Sequence, residues 1–327
     1  MISWRVLLTG AAIATFATSL AAEARSVGRP WRIGWLDSGG ISAARETPFV
    51  TALKQMGHAE GRDFLVAARH AEGQFDQLPA LAADLVSRKV DLIAAYGDPA
   101  IRAAKQETDT IPIVMVSSAD PVGLGFVASL KRPGGNITGI SDISADLAAK
   151  QLDFLKQAVP RLHRVTILTN ATGGAKERVR QRTLQAARTL HLSLTIDEVR
   201  GLPAAERIFT AMTDHLPDGL AVIGGQQMDG PARIGIAKLA LQMKIPLVSD
   251  TTFMITWGAL MSYQAPYGAQ AGRAAWYAEK ILKGAKPGEL PVEEPTEIRL
   301  TIDLETAKAI GVTIPQSLLL LANLVIQ

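Results

Sequence analysis

Short β-rich runs alternate with amphipathic helical segments along most of this 327-residue chain, and that alternation limits the possible folds more than any other feature. Each helical segment is long enough to carry the chain across one face of a sheet. Strand–helix–strand units of this length predict parallel sheets with right-handed crossovers. The predicted strands cover residues 32–36, 64–68, 90–96, 111–116, 164–168, 193–199, 219–223 and 245–248.

Apolar residues at helical spacing define the segments between these strands. Residues 75–86 place their apolar side chains on one face, and residues 152–159 do the same before the chain reaches Pro160. The alternation breaks at the turn-rich segment 131–136, which a short β run at 137–140 follows. A second β/α series then begins near residue 148.

The break predicts an α/β fold of two doubly wound parallel-sheet lobes joined by a hinge. The first lobe is expected to comprise residues 30–141 plus 257–290. The second is expected to comprise residues 142–256 plus 291–327. In this scheme the strand at 260–263 and the helix at 267–283 return the chain to the first lobe. About 300 residues are enough for each lobe to bury a core of its own.

The first 24 residues resemble an export signal. Arg5 precedes an apolar run from Val6 to Leu20, and Ala22-Glu23-Ala24 is a small-x-small cleavage site. A retained membrane anchor is the alternative, but the apolar run is shorter than the roughly 20 residues that span a bilayer. We therefore expect cleavage near Ala24 and a periplasmic mature protein.

Composition removes several classes of function. The chain contains no cysteine, which excludes disulfides and thiolate catalysis. Its net charge of +3 comes from interspersed basic and acidic residues, so a nucleic acid partner is not expected.

Polar side chains follow nearly every predicted strand. In parallel α/β sheets, ligands bind beyond the carboxyl ends of the strands, so these positions are the candidates for a binding site. The same residue types also cap helices, and for any one of them capping is the alternative role. The candidate ligand contacts are Ser38, Tyr96, Asp98, Ser118 and Asp120 from the first lobe, and Asn170, Gln226 and Asp250 from the second.

Catalytic, cofactor and metal chemistry lack support in the sequence. The five histidines are far apart and form no metal-ligand pair, and no G-x-S-x-G elbow is present. A G-x-G-x-x-A pattern spans 123–128, but its distance from the preceding strand is wrong for a dinucleotide site. We expect no catalytic residues, no cofactor and no bound metal, although an aspartate cluster that binds a metal or acts as an acid–base pair remains an alternative.

Several segments together resemble the ABC transporter substrate-binding protein family that includes tryptophan- and tyrosine-binding members. The motifs are at residues 91–105, 111–114, 120–141, 258–263 and 280–287, and in the tail from 290 to 315. The resemblance implies a type I periplasmic-binding fold with three crossovers and a cleft that closes on a ligand. Three departures, at Asp98, residues 171–174 and residues 251–257, lie where that cleft should be.

Taken with the resemblance, these positions predict a solute receptor that passes a small, amino-acid-like metabolite to an ABC permease in the inner membrane. Asp98 or Asp250 would hold an amine, and Ser38 and Ser118 would hold a carboxylate. The receptor is expected to be a monomer. Three alternatives are a periplasmic sensor feeding a membrane receptor, a repressor core of similar fold, and an exported hydrolase.

Overall fold

The computed structural model describes residues 29–39, 46–170, 173–213, 215–224 and 228–327. The expected export signal lies outside these residues. No helix among them is both long and apolar enough to cross a membrane.

The described residues form two β-sheets flanked by helices, which confirms the predicted fold class. The first sheet has the order β2-β1-β3-β4-β5 and the second the order β12-β11-β10-β9-β8-β6-β7. Neighbouring strands are parallel except for β10 and β11. The strands are β1 Trp31–Asp37, β2 Phe64–His70, β3 Leu92–Tyr96, β4 Ile113–Ser118, β5 Ile137–Ser141, β6 Arg164–Thr169, β7 Ser193–Glu198, β8 Gly219–Val222, β9 Leu247–Ser249, β10 Met261–Gln264, β11 Arg299–Asp303 and β12 Leu324–Ile326.

Each sheet is buried between helices on both faces, and each lobe therefore has its own core. Buried strands such as β3 and β4 are apolar along almost their whole length, as expected for parallel strands covered on both sides. The helices are α1 Thr47–Gln55, α2 Leu78–Ser87, α3 Asp98–Glu107, α4 Ser144–Ala158, α5 Gly173–Leu190, α6 Leu202–Met212, α7 Gly230–Gln242, α8 Tyr267–Leu282, α9 Leu304–Ile310 and α10 Gln316–Leu319.

The strand β10 lies in the second sheet, whereas the sequence placed residues 260–263 in the first lobe. It pairs in parallel with β9 and antiparallel with β11. The short 3-10 helix Thr252–Trp257 turns the chain through a left-handed Gly258, which returns it beside β9 instead of carrying it to the other lobe. The chain enters the first lobe only after Gln264, where α8 packs its alanine-rich face against the first core.

The last passage between the lobes also differs in place. Val292 donates a backbone hydrogen bond to Leu130, and Glu293 pairs with Ile140 at the edge of the first sheet. The chain therefore leaves the first lobe after residue 293 and reaches the second at β11. Three passages connect the lobes, at about residues 142–143, 265–266 and 294–298.

Candidate functional site

A cavity of about 710 Å³ lies between the two lobes, beside two of the passages that connect them. Its volume falls within the roughly 300–1,000 Å³ of typical small-molecule sites. The first lobe contributes residues from β3, α1 and α8. The second contributes them from α4, α7, β10, β11, the start of β12 and the segment after β9. Among the lining residues are Pro48, Tyr96, Asp142, Ser144, Leu147, Arg233, Asp250, Thr251, Phe253, Tyr263, Tyr267 and Gln270.

Aromatic rings form one part of the cavity wall. Tyr96 and Tyr267 meet edge to face with their ring centroids 5.3 Å apart, so the end of β3 and the start of α8 fix each other. Tyr263 packs edge to face on Phe154 at 5.0 Å, which holds it at the end of β10. Phe253 follows from the segment after β9. These rings can contact a flat, apolar ligand group.

A buried ion pair forms the charged part of the cavity wall. Arg233 on α7 donates to Asp250 over 2.8 Å, and the two side chains are only 4% and 2% exposed. The guanidinium also donates to the backbone oxygen of Met228, which helps to fix its position. Arginine suits a buried pair because its guanidinium is planar, always charged and weakly hydrated.

Asp142 places a second carboxylate at the cavity, in the passage between β5 and α4. Its carboxylate accepts hydrogen bonds from the backbone N–H and the hydroxyl of Ser144, at 2.8 and 2.7 Å. Burial raises the pKa of Asp142 to about 6, and the negative charges of Asp250 and Asp98 add to the rise. The hydrogen bonds from Ser144 act in the opposite direction.

Two of the eight residues predicted from strand ends, Tyr96 and Asp250, line the cavity. Ser38 is buried and does not line the cavity; its hydroxyl donates to the backbone oxygen of Tyr96 over 3.0 Å. Asn170 is buried at the end of β6, and its Oδ1 accepts no hydrogen bond from the described residues. Gln226 lies outside the described residues.

Asp98 and Ser118 are bonded to each other within the first lobe. The hydroxyl of Ser118 donates to Asp98 Oδ1 over 2.7 Å, and the backbone N–H of Ala119 donates to the same oxygen over 3.2 Å. Burial raises the pKa of Asp98. Asp98 also borders a separate cavity of about 210 Å³ beside α2 and α3, which Arg102 lines as well.

Asp120 contacts the other lobe instead of the cavity. It accepts from Arg178 of α5 over 2.8 Å, with the two side chains 20% and 33% exposed. It also accepts from the backbone N–H of Gly123 in its own turn. This ion pair connects the two lobes, and neither of its residues belongs to the three passages of chain between them.

Strand-end reasoning missed several residues of the cavity, and for different reasons. Asp142 obeys the rule, because it directly follows β5, but in the sequence the short run at 137–140 indicates the change of lobe, and the residues after it are not among the candidates. Arg233, Tyr267 and Gln270 lie on helices, where no strand-end signal exists. Among the described residues, no group of three His, Cys, Asp or Glu side chains could hold a metal ion.

The amino-acid sequence is similar to those of known substrate-binding proteins. The family model described as ABC transporter substrate binding protein matches residues 39–326. The tyrosine-binding protein of Clostridioides difficile strain R20291 is 26% identical over 271 residues, which cover 80% of this chain and 75% of that relative.

Two solved structures share the fold at 23% identity over 91% of this chain. One is a domain from Streptococcus pneumoniae in complex with L-Trp, covered completely, with a TM-score of 0.81. The other is a ligand-free, open substrate binding protein from Clostridium difficile, 99% covered, with a TM-score of 0.66. The two-lobed architecture is that of type I periplasmic-binding proteins.

Proposed function

The chain belongs to the family of ABC transporter substrate binding proteins, and on that premise we propose that it is the extracytoplasmic receptor of an importer for an aromatic amino acid. The receptor would capture its ligand between the lobes and deliver it to an ABC permease in the inner membrane. One observation carries this proposal: a single cavity between the lobes combines aromatic rings with buried groups of both charges.

The rings suit the side chain of such a ligand. Tyr96 and Tyr267 come from the first lobe, and Tyr263 and Phe253 come from the second. A ligand ring held between the lobes would gain apolar burial and edge-to-face contacts from both sides. An aliphatic side chain of the same length would lose the ring contacts.

The charged groups suit the backbone of an amino acid, which carries one positive and one negative pole. Arg233, Asp250 and Asp142 all line the cavity and are almost fully buried. In a water-excluded site such groups interact more strongly with a charged ligand than they would in solvent. The tyrosine-binding relative and the L-Trp complex agree with this choice of ligand class.

Closure of the lobes on the ligand would couple binding to delivery. The Asp120–Arg178 pair bridges the lobes, and a Cβ built on Gly73 of the first lobe would lie 3.3 Å from the Cβ of Asp229 in the second. The structure also superposes better on the L-Trp complex than on the ligand-free, open relative. These observations support a closed arrangement, with the three passages as the hinge.

A binding screen tests the proposal directly. Purified residues 25–327 would be titrated with each of the twenty amino acids by thermal shift and calorimetry. We expect L-tyrosine or L-tryptophan to stabilise the protein, by about 2.7 kcal/mol at 100 times its dissociation constant. Failure of every amino acid to bind would refute the proposal.

Two variants on one helix provide a matched comparison. Tyr267→Leu removes a ring of the cavity, whereas Trp276→Leu removes a ring of α8 that stacks on Arg273 away from it. Only the first is expected to weaken binding of the aromatic amino acid. Equal loss in both variants would count against a ligand ring beside Tyr267.

A further inference from the structure

Among the charged side chains that line the cavity, Asp142 alone has no ion-pair partner within the described residues. Arg233 and Asp250 form a close ion pair and neutralise each other. Arg299 of β11 lines the cavity as well, but its guanidinium pairs with Glu297 over 2.5 Å. Asp142 adds a further carboxylate, and among the residues that the structure describes no lysine, arginine or histidine forms an ion pair with it. The walls therefore carry an excess negative charge at Asp142.

The position of that carboxylate is fixed without a cation. Both of its oxygens accept from Ser144, and the backbone N–H of Asp142 donates to the oxygen of Ser118 over 2.6 Å. The segment is thereby tied to β4 of the first lobe and to α4 of the second. Each carboxylate oxygen has lone pairs for more than one donor, so capacity for a ligand remains.

Gln270 provides a second acceptor on the same cavity. Gln270 is only 7% exposed, and its side-chain Nε2 donates to the backbone oxygen of Ala265 over 3.2 Å. Its Oε1 accepts no hydrogen bond from the described residues. A buried acceptor without a donor is unfavourable, so a donor supplied by a ligand would relieve this state.

We infer that the ligand carries a cationic amine, whose N–H groups donate to the carboxylate of Asp142 and to Oε1 of Gln270. This inference rests on the proposed function and specifies which cavity residues bind the amine of the ligand. It reassigns the amine from Asp98 and Asp250. Asp98 already accepts hydrogen bonds from Ser118 and Ala119, and Asp250 already forms an ion pair with Arg233.

The surroundings of Asp142 make binding of a cation sensitive to pH. The charged groups that act on it or share its cavity are Asp250 after β9, Asp98 on α3, Arg233, which is paired with Asp250, and Arg299 of β11, which is paired with Glu297. Because burial raises the pKa of Asp142 to about 6, the unliganded carboxylate becomes neutral on mild acidification. A cationic ligand binds the ionised form, so its affinity should fall as the pH drops below 6.

Calorimetry with three tyrosine-related probes tests the inference. L-tyrosine has both poles, tyramine keeps only the amine, and 3-(4-hydroxyphenyl)propionate keeps only the carboxylate; the corresponding tryptophan set is run in parallel. The variants are Asp142→Asn and, as a control, Asp146→Asn. The control removes the same charge four residues later, at an exposed pair with Arg182.

Asp142→Asn is expected to weaken binding of the amine-bearing probes at least about 30-fold at pH 7.5. It should leave affinity for the propionate unchanged or improved, which also shows that the variant is folded. Asp146→Asn should match the wild type. The wild type should lose about tenfold in affinity for L-tyrosine between pH 7.5 and 5, and Asp142→Asn should lose this dependence.

The outcomes separate the inference from the proposed function. If the wild type binds the propionate as tightly as L-tyrosine, or if Asp142→Asn binds L-tyrosine normally, the amine is not at Asp142 and the receptor function stands. If the wild type binds no member of either set, the proposed ligand class fails and the inference falls with it.

Discussion

Replacing Arg233 by methionine should destabilise the protein far more than removal of an exposed arginine. The side chains of Arg233 and Asp250 are 4% and 2% exposed, so the variant removes the positive charge that pairs with a buried carboxylate. Breaking a buried pair in this way costs about 3–5 kcal/mol of unfolding free energy. Methionine is similar in length to the aliphatic part of arginine, so loss of packing adds little to this figure.

The assay is equilibrium urea unfolding at pH 7.5, with tryptophan fluorescence as the signal. The control is Arg182→Met, whose pair with Asp146 has side chains 52% and 39% exposed. An exposed pair contributes about 0–1 kcal/mol, so the control should unfold close to the wild type.

A double variant, Arg233→Met with Asp250→Leu, separates the charge from the packing. Replacing both members of a buried pair by apolar residues of similar volume is often neutral or stabilising. The double variant should therefore be more stable than Arg233→Met alone. If Arg233→Met costs less than about 1 kcal/mol, or if the double variant is the less stable of the two, the reasoning from burial is wrong.

Three further predictions follow from other parts of the structure. Asp120→Asn removes the half-buried ion pair with Arg178 and should weaken ligand binding up to about fivefold, an effect that calorimetry should find much reduced in 1 M salt. Because its pKa rises to about 6 in the folded protein, ionised Asp142 destabilises the unliganded protein above that pH. The stability of wild type relative to Asp142→Asn should then fall by about 2 kcal/mol between pH 4 and 7 in urea titrations, and a difference that rises with pH would contradict the assignment. Gly139→Ala should cost about 2 kcal/mol or more in the same assay, because φ is +133° there and the added Cβ would lie 2.2 Å from the oxygen of Met115; wild-type stability would count against the tight approach of β4 and β5.

Strand-end reasoning led to the edges of the sheets that border the cavity, but it did not predict which side chains line it. Ser38, Asp98 and Ser118 follow strands as expected, yet their side chains bond to neighbouring backbone or to each other. A short polar side chain at a strand end can turn toward a ligand or toward its own lobe, and local sequence does not distinguish the two. Tyr96 and Asp250 line the cavity because β3 and β9 both end at the gap between the lobes.

The sequence alone determined the α/β class and the division into two lobes, because alternating apolar periods record which faces of strands and helices are buried. The motifs also indicated the family. Only the tertiary structure decided that β10 belongs to the second sheet, since a four-residue strand fits either lobe until its hydrogen-bonded neighbours are known. The structure likewise brought Asp142, Arg233 and Gln270 to one cavity. Those residues come from three distant segments, and their common chemistry depends on packing and desolvation that no local pattern encodes.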